Sequence, residues 1–263
     1  MSGLSKSNPR VRGLRRLLRD SKYRQECQKF AVEGLEFLKE SIASSAFPSD
    51  VFVIDNHPVS TEVELLLNSF EIPIWCLEEK LFASLATTTT PQPVISIFQT
   101  IDIPFDQLMD KDPTFLVAGV EIREPGNAGS LIRTAAAAGA DGVIFSENSV
   151  DLYNPKTIRS SAGAVFQLPI VRSIEIDKKL KLFKEKSIKT IGLAPKGNSS
   201  YLDFDFRNAF VVLLGNEAAG LNQDTLNQVD HIARIDMGLG IESLNVSNAA
   251  SVVLFEARRQ RNL

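Results

Sequence analysis

Histidine and cysteine are scarce in this 263-residue chain, with two of each: His57 and His231, Cys27 and Cys76. Two cysteines so far apart give neither a disulfide framework nor a zinc spacing, and no HExxH helix or Ser–His–Asp order is legible. No metal is expected. No GxxxxGK[ST] phosphate loop occurs. Nothing approaches the roughly 18 consecutive apolar residues of a membrane span. The N-terminal MSGLSKSNPRVRGLRRLLRD lacks the apolar stretch of a secretory signal and reads as part of the fold. These absences point to a cytoplasmic protein without a membrane partner, in which the sequons at Asn198 and Asn245 are chance matches.

The net charge of −3 conceals an asymmetry. Residues 1–29 hold nine Lys/Arg against two acids, residues 30–100 hold two against ten, and the remainder is nearly balanced. A basic arm on an otherwise acidic chain is the electrostatic footprint of contact with nucleic-acid phosphates. The alternative is a helix face whose charges are simply solvated.

Strand-like and helical runs alternate along the chain. Strands are expected at KFAVEG, 51–55, 72–77 and 94–99, with helices near 9–19, 35–44, 60–70 and 78–86. TTTTPQP (87–93) and the Asp- and Pro-rich 99–113 break the pattern, and the domain boundary is placed in the second break. Beyond it, continuous apolar runs at 114–120, 141–145, 189–195, 209–215 and 231–237 alternate with helices, one at 175–187 and the last at 243–260. Such strands belong to a parallel sheet covered on both faces.

Ligands in these sheets bind beyond the carboxyl ends of the strands. The segments there, EIREPGNAGS, APKGNSS, GNEAAGL and GLGIESLNVSN, are rich in Gly, Ala, Asn and Ser and suit a backbone-lined pocket. EPGNAGS is a poor dinucleotide loop, because it reads G-x-x-G rather than G-x-G-x-x-G. Within EPGNAGSLIRTAAAAGADGVIF, Arg133 stands among Leu131, Ile132 and Ala135–Ala138. A guanidinium in a helix packed on both sides needs an anionic or carbonyl partner, unless it snorkels to the surface. Glu217, after another buried strand, is the candidate; a phosphate or carboxylate ligand is the alternative.

Three blocks together resemble the SpoU (TrmH-type) family of RNA 2′-O-ribose methyltransferases, of the SPOUT class. They are EPGNAGSLIRTAAAAGADGVIF, FVVLLGNEAAGL and ARIDMGLGIESLNVSNAASVVLFEARRQ, in the family's order, with NPKTIRSSAGAVFQLPIV between the first two. SNPRVRGLRRL, FAVEG and TTTTPQPVISIF resemble, more loosely, the family's N-terminal substrate-binding domain. Two departures stand out: Glu124 replaces the usual Asp, and GNEA with Asn216 and Ala218 replaces G-S-E-G.

The resemblance implies an α/β architecture: a small ribosomal-protein-like RNA substrate-binding domain (1–105), then a methyltransferase domain (106–263) with a trefoil-knotted, mostly parallel sheet. It implies S-adenosyl-L-methionine as cofactor, held near Ala194, Leu214, Gly215, Asn216, Ile235, Met237 and Leu244. It assigns the reaction to Arg133 and Asn127 with Glu217, Ser243 and Asn245, the last three holding Arg133 and the ribose or cofactor. Arg12, Arg15, Arg16, Arg19 and Arg159 are the expected RNA contacts. The implied partners are RNA, ribosomal rather than transfer, and a second copy of the chain. A tRNA methyltransferase and a non-catalytic RNA-binding or ribosome-assembly factor of the same fold are the alternatives.

Overall fold

The computed structural model of the chain describes residues 4–88 and 90–262, so Met1–Gly3, Thr89 of TTTTPQP and Leu263 lie outside the described residues. The chain forms two compact units, Met1–Ile101 with Tyr153–Phe166, and Asp102–Leu152 with Gln167–Leu263.

In the first unit, α1 (Pro9–Arg19) begins at Asn8, whose side chain accepts from the Arg10 N–H, with Pro9 in the first turn where its missing N–H costs nothing. Its Val11, Leu14, Leu17 and Leu18 recur at helical spacing and are buried, which turns the arginines outward. After α2 (Ser21–Cys27) follow β1 (Lys29–Glu33), α3 (Leu35–Ala43), β2 (Asp50–Ile54), α4 (Pro58–Leu67), β3 (Ile74–Leu77), α5 (Glu79–Leu85) and β4 (Val94–Gln99). The sheet order is β1-β4-β2-β3, with β4 antiparallel to β1 and β2, and β3 parallel to β2. Alternation along β2 sends Phe52 to the core of α1 and α5, and Val51 and Val53 to that of α3 and α4.

In the second unit, α6 (Phe105–Met109) and β5 (Phe115–Gly119) precede α7 (Pro125–Ala138) and β6 (Gly142–Ser146). The chain forms α8 (Pro155–Ser161) with the first unit, then β7 (Ile170–Ile174), α9 (Ile176–Glu185), β8 (Lys189–Leu193), β9 (Ser199–Ser200), β10 (Phe210–Leu214), α10 (Gln223–Gln228), β11 (His231–Arg234) and α11 (Val246–Arg261). The sheet order is β7-β6-β5-β10-β8-β11-β9, and every paired strand runs parallel. Phe105, Leu108, Leu180 and Phe183 of α6 and α9 fill one face, and α7 and α11 pack together on the other.

The units part after Ile101 rather than at residue 105, and Tyr153–Phe166 packs with the first. The reason is aromatic: Tyr153 stacks on Phe30 at 4.6 Å and Phe166 meets Phe98 at 5.0 Å. α2, α6, β7 and the two-residue β9 are further elements that the hydrophobic pattern left unmarked. Among the described residues no helix is long and apolar enough to cross a membrane.

Candidate functional site

Beyond the carboxyl ends of β8, β10 and β11 lies a cavity of about 230 Å³. Ala194, Leu214, Gly215, Asn216, Ile235, Met237 and Leu244 all line it, so three loops distant in sequence converge as the strand-end rule requires. Pro195, Glu217, Glu242, Ser243, Val246 and Ala249 complete much of the wall. The loop after β10 folds back sharply. A Cβ on Gly215 would stand 2.2 Å from the Gly220 carbonyl carbon, so only glycine fits there. Asn216 braces the turn: its Oδ1 accepts from the Ala218 and Ala219 N–H groups at 3.0 Å, and its Nδ2 donates to the Glu121 carbonyl at 2.9 Å. The departure from G-S-E-G thus supplies a turn-forming side chain.

A polar chain joins the three sequence blocks. Asn127 Nδ2 donates to Glu217 Oε1 at 2.9 Å, and Asn245 Nδ2 donates to Asn127 Oδ1 at 3.0 Å. Asn245 caps α11, its Oδ1 accepting from the Ser247 N–H at 2.9 Å and hydroxyl at 2.6 Å. Glu217 also accepts from the backbone N–H groups of Arg123 (3.1 Å) and Glu124 (3.0 Å), placing a carboxylate at the positive end of α7. Burial pushes the Glu217 carboxyl up. The hydrogen bonds from Asn127 and the Glu124 and Arg123 N–H groups together outweigh it and hold the group below its ordinary range. Glu124 takes the N-cap position of α7 without a side-chain cap, and Glu217 reaches from another loop to the N-cap backbone N–H, the bond a capping-box residue would accept.

Arg133 is not Glu217's partner. It is exposed and makes no hydrogen bond or ion pair among the described residues, and neither Ser243 nor Asn245 bonds to it. Helix geometry gives the reason. Arg133 follows Asn127 by six positions, about 120° away round the helix and about 9 Å along it. Thr134, a position later, returns to the Asn127 side and meets Ser251 of α11 at 3.4 Å. The helix is packed on Leu131, Ile132, Ala135 and Ala138, while Arg133 and Ala137 form an open stripe. Ser247 is the residue of this network that the sequence reading missed; its signal was its place two positions after the cap at Asn245.

In the first unit, the arginines of α1 are partly engaged. Arg15 reaches the Ser84 hydroxyl at 3.5 Å, Arg19 the Ser84 carbonyl at 3.1 Å, and Arg16 pairs with Asp20 at 3.5 Å while stacking on Tyr23. Arg12 is exposed and unpaired among the described residues. Arg159, on α8, is half-buried and donates to the Thr87 hydroxyl at 2.9 Å.

The second unit is thus a parallel α/β sheet with a cavity at its strand ends, and Glu217 on the cavity wall belongs to the polar chain of Asn127 and Asn245. The sequence profile of the SpoU rRNA Methylase family matches residues 114–255, and that of the MRM3-like substrate binding domain matches 8–96. The chain belongs to the SpoU rRNA methylase family and is an enzyme of that methyltransferase kind. It is 28% identical to the 23S rRNA (guanosine(2553)-2′-O)-methyltransferase RlmP of Bacillus subtilis, over 97% of this chain and 98% of that one. It is 39% identical to the 23S rRNA (uridine(2479)-2′-O)-methyltransferase of Streptomyces viridochromogenes, over 52% of this chain and 50% of the relative. The crystal structure of the SpoU methyltransferase AviRb from Streptomyces viridochromogenes in complex with the cofactor AdoMet superposes with a TM-score of 0.89 at 28% identity, covering 97% and 98% of the two chains.

Proposed function

We propose that this protein transfers a methyl group from S-adenosyl-L-methionine to a ribose 2′-hydroxyl of RNA, in large-subunit ribosomal RNA rather than tRNA. The observation that carries the reading is one cavity lined by every residue assigned to the cofactor, with Glu217 on its wall tied to Asn127 and Asn245. The named activities of the relatives, both on 23S rRNA riboses, support the substrate class.

The cavity fits the cofactor. Leu193, Leu214, Ile235, Met237 and Leu244 offer apolar walls for an adenine, and the glycine at position 215 admits close backbone approach. Glu217 and Glu242 offer carboxylates to cationic groups. When bound, the cofactor supplies a methyl on a cationic sulfonium. The hydroxyl must lose its proton as the C–O bond forms and the C–S bond breaks, and alignment of the three centres alone is worth several kcal/mol. Arg133, whose guanidinium offers a fork of donors and no acceptor, is unsuited to act as base. It clamps the phosphate beside the reacting ribose and stabilises developing negative charge there. Asn127, fixed at both ends of its amide, positions the RNA, and Ser243 and Asn245 line the approach.

Three finer features belong to the same reading. β8 and β9 pair on opposite sides of β11 with only residues 194–198 between them, and a Cβ on Gly197 would stand 2.5 Å from the Ala233 carbonyl carbon. This close crossing supports a C-terminal segment threaded through a loop, a trefoil knot. The open stripe of α7 and the half-exposed Phe255 of α11 support a homodimer. The outward arginines of α1 support an RNA-binding role for a ribosomal-protein-like N-terminal unit.

The test is labelled-methyl transfer to unmodified 23S rRNA and tRNA transcripts, with mapping of 2′-O-methyl positions. Transfer to the first supports the proposal, and transfer to tRNA alone redirects it. Cofactor binding without transfer to either favours the assembly-factor alternative.

A further inference from the structure

We propose that Glu33 is a positioning residue for RNA binding: it holds Thr87, Thr88 and Gln92 so that Thr87 fixes the Arg159 guanidinium for a phosphate of the RNA backbone. The inference rests on the assignment of Arg159 to RNA contact and adds the device that places it.

Glu33 closes β1 and is only 6% exposed. A carboxylate so buried is tolerated only when its oxygens are bonded. Here the bonds come from the TTTTPQP stretch. Oε2 accepts from the Thr87 N–H at 3.1 Å and hydroxyl at 3.4 Å; Oε1 accepts from the Thr88 hydroxyl at 2.6 Å and the Gln92 N–H at 3.0 Å. These four contacts match the lone-pair capacity of an ionised carboxylate, which a glutamine could not reproduce because its amide nitrogen only donates. No cation pairs with Glu33 among the described residues, so its charge is spent on these bonds.

The consequence passes through one hydroxyl. The Thr87 hydroxyl donates to the carboxylate, which leaves the lone pairs of its oxygen for Arg159, whose Nη1 donates to it at 2.9 Å. Among the described residues no acid pairs with Arg159. Its remaining donors keep the planar fork that suits a phosphate. Residues 30–100 carry a large excess of acids, so a phosphate meeting this unit needs a cation held in a defined place.

Binding to an unmodified 23S rRNA transcript is measured against salt for Arg159→Ala, Glu33→Gln and the double variant, together with KM and kcat for methyl transfer. Arg159→Ala is expected to weaken binding about tenfold and lower the log–log salt slope by roughly one. Glu33→Gln is expected to reproduce both changes, with the loss falling on KM rather than kcat, and the double variant to bind no more weakly than Arg159→Ala. Wild-type affinity in Glu33→Gln beside a weakened Arg159→Ala overturns the role of Glu33 and leaves the Arg159 contact standing. Wild-type affinity in Arg159→Ala overturns the contact itself. If Glu33→Gln does not fold, Thr87→Val serves: it keeps the backbone bond to Glu33 and removes the hydroxyl that accepts from Arg159 and makes the long 3.4 Å contact to Glu33. Its affinity should match that of Arg159→Ala at an unchanged melting temperature, and wild-type affinity overturns the proposal.

Discussion

Asn127 and Glu217, ninety positions apart in the chain, share a 2.9 Å hydrogen bond from amide nitrogen to carboxylate. Since Asn245 donates to the other end of the same amide, Asn127 is the joint between the loops after β5 and β10 and the start of α11. Asn127→Ala breaks both bonds. Loss of a hydrogen bond to a charged group costs about 1.5–3 kcal/mol, so single-turnover methyl transfer should fall roughly ten- to hundredfold. Calorimetry should show a much smaller change in cofactor affinity, and an unaltered transfer rate would remove Asn127 from the reacting site.

Arg133 projects from an otherwise packed helix without a partner among the described residues, so its replacement should cost the fold little, within about 0.5 kcal/mol. Arg133→Ala should nonetheless lower transfer roughly 100- to 1,000-fold, with cofactor binding kept. Arg133→Lys keeps the charge without the fork and should recover only part of it. Melting curves and transfer rates together test this; near-normal transfer in the alanine variant would refute the phosphate-clamp role.

Glu217 gives the α7 terminus a pH dependence of known sign. Its folded-state pKa lies below the ordinary 4.5, so its contribution to stability is complete above that value and is lost as pH falls through the depressed one. Glu217→Gln should therefore be less stable than the parent near neutrality, and the gap should close in acid. Melting temperatures followed from neutral into acid read this directly. Parallel curves for the two proteins would contradict it.

Along α1, Arg12 has no side-chain partner among the described residues, while Arg15, Arg16 and Arg19 already have protein partners. Replacing all four with alanine should weaken RNA binding and flatten its salt dependence, by about 0.7–0.9 in slope for each phosphate contact removed. Arg12→Ala alone should account for close to one contact. An unchanged slope in the quadruple variant would mean that this face is merely solvated.

Gly197→Ala places a methyl against the Ala233 backbone at 2.5 Å, whereas a Cβ on Gly238 meets nothing within 4 Å. The first substitution should destabilise by about 1–3 kcal/mol, as overpacking does, and the second should be close to neutral. Denaturant midpoints compare them. Equal midpoints would show that the 194–198 loop yields, and that its crossing over β11 is not tight.

The sequence by itself determined the periodic elements, the parallel character of the second sheet and the strand-end loops that border the cavity; the individual residues around it followed from the family resemblance. The first three are local properties: a continuous apolar run marks a buried strand such as Phe210–Leu214, and loops rich in small residues mark the strand ends where ligands bind. What only the tertiary structure decided is who meets whom. Composition around Arg133 left open a guanidinium paired with Glu217, one aimed at a ligand anion and one reaching the surface. The 100° step of the helix gives Glu217 to Asn127 and leaves Arg133 outside. Likewise Glu33 stands more than fifty residues from Thr87, Thr88 and Gln92, and joins them in one hydrogen-bonded cluster through tertiary folding. Sequence carries the pattern of each face; the direction in which a single side chain leaves its helix, and the loop that comes to meet it, are set by packing.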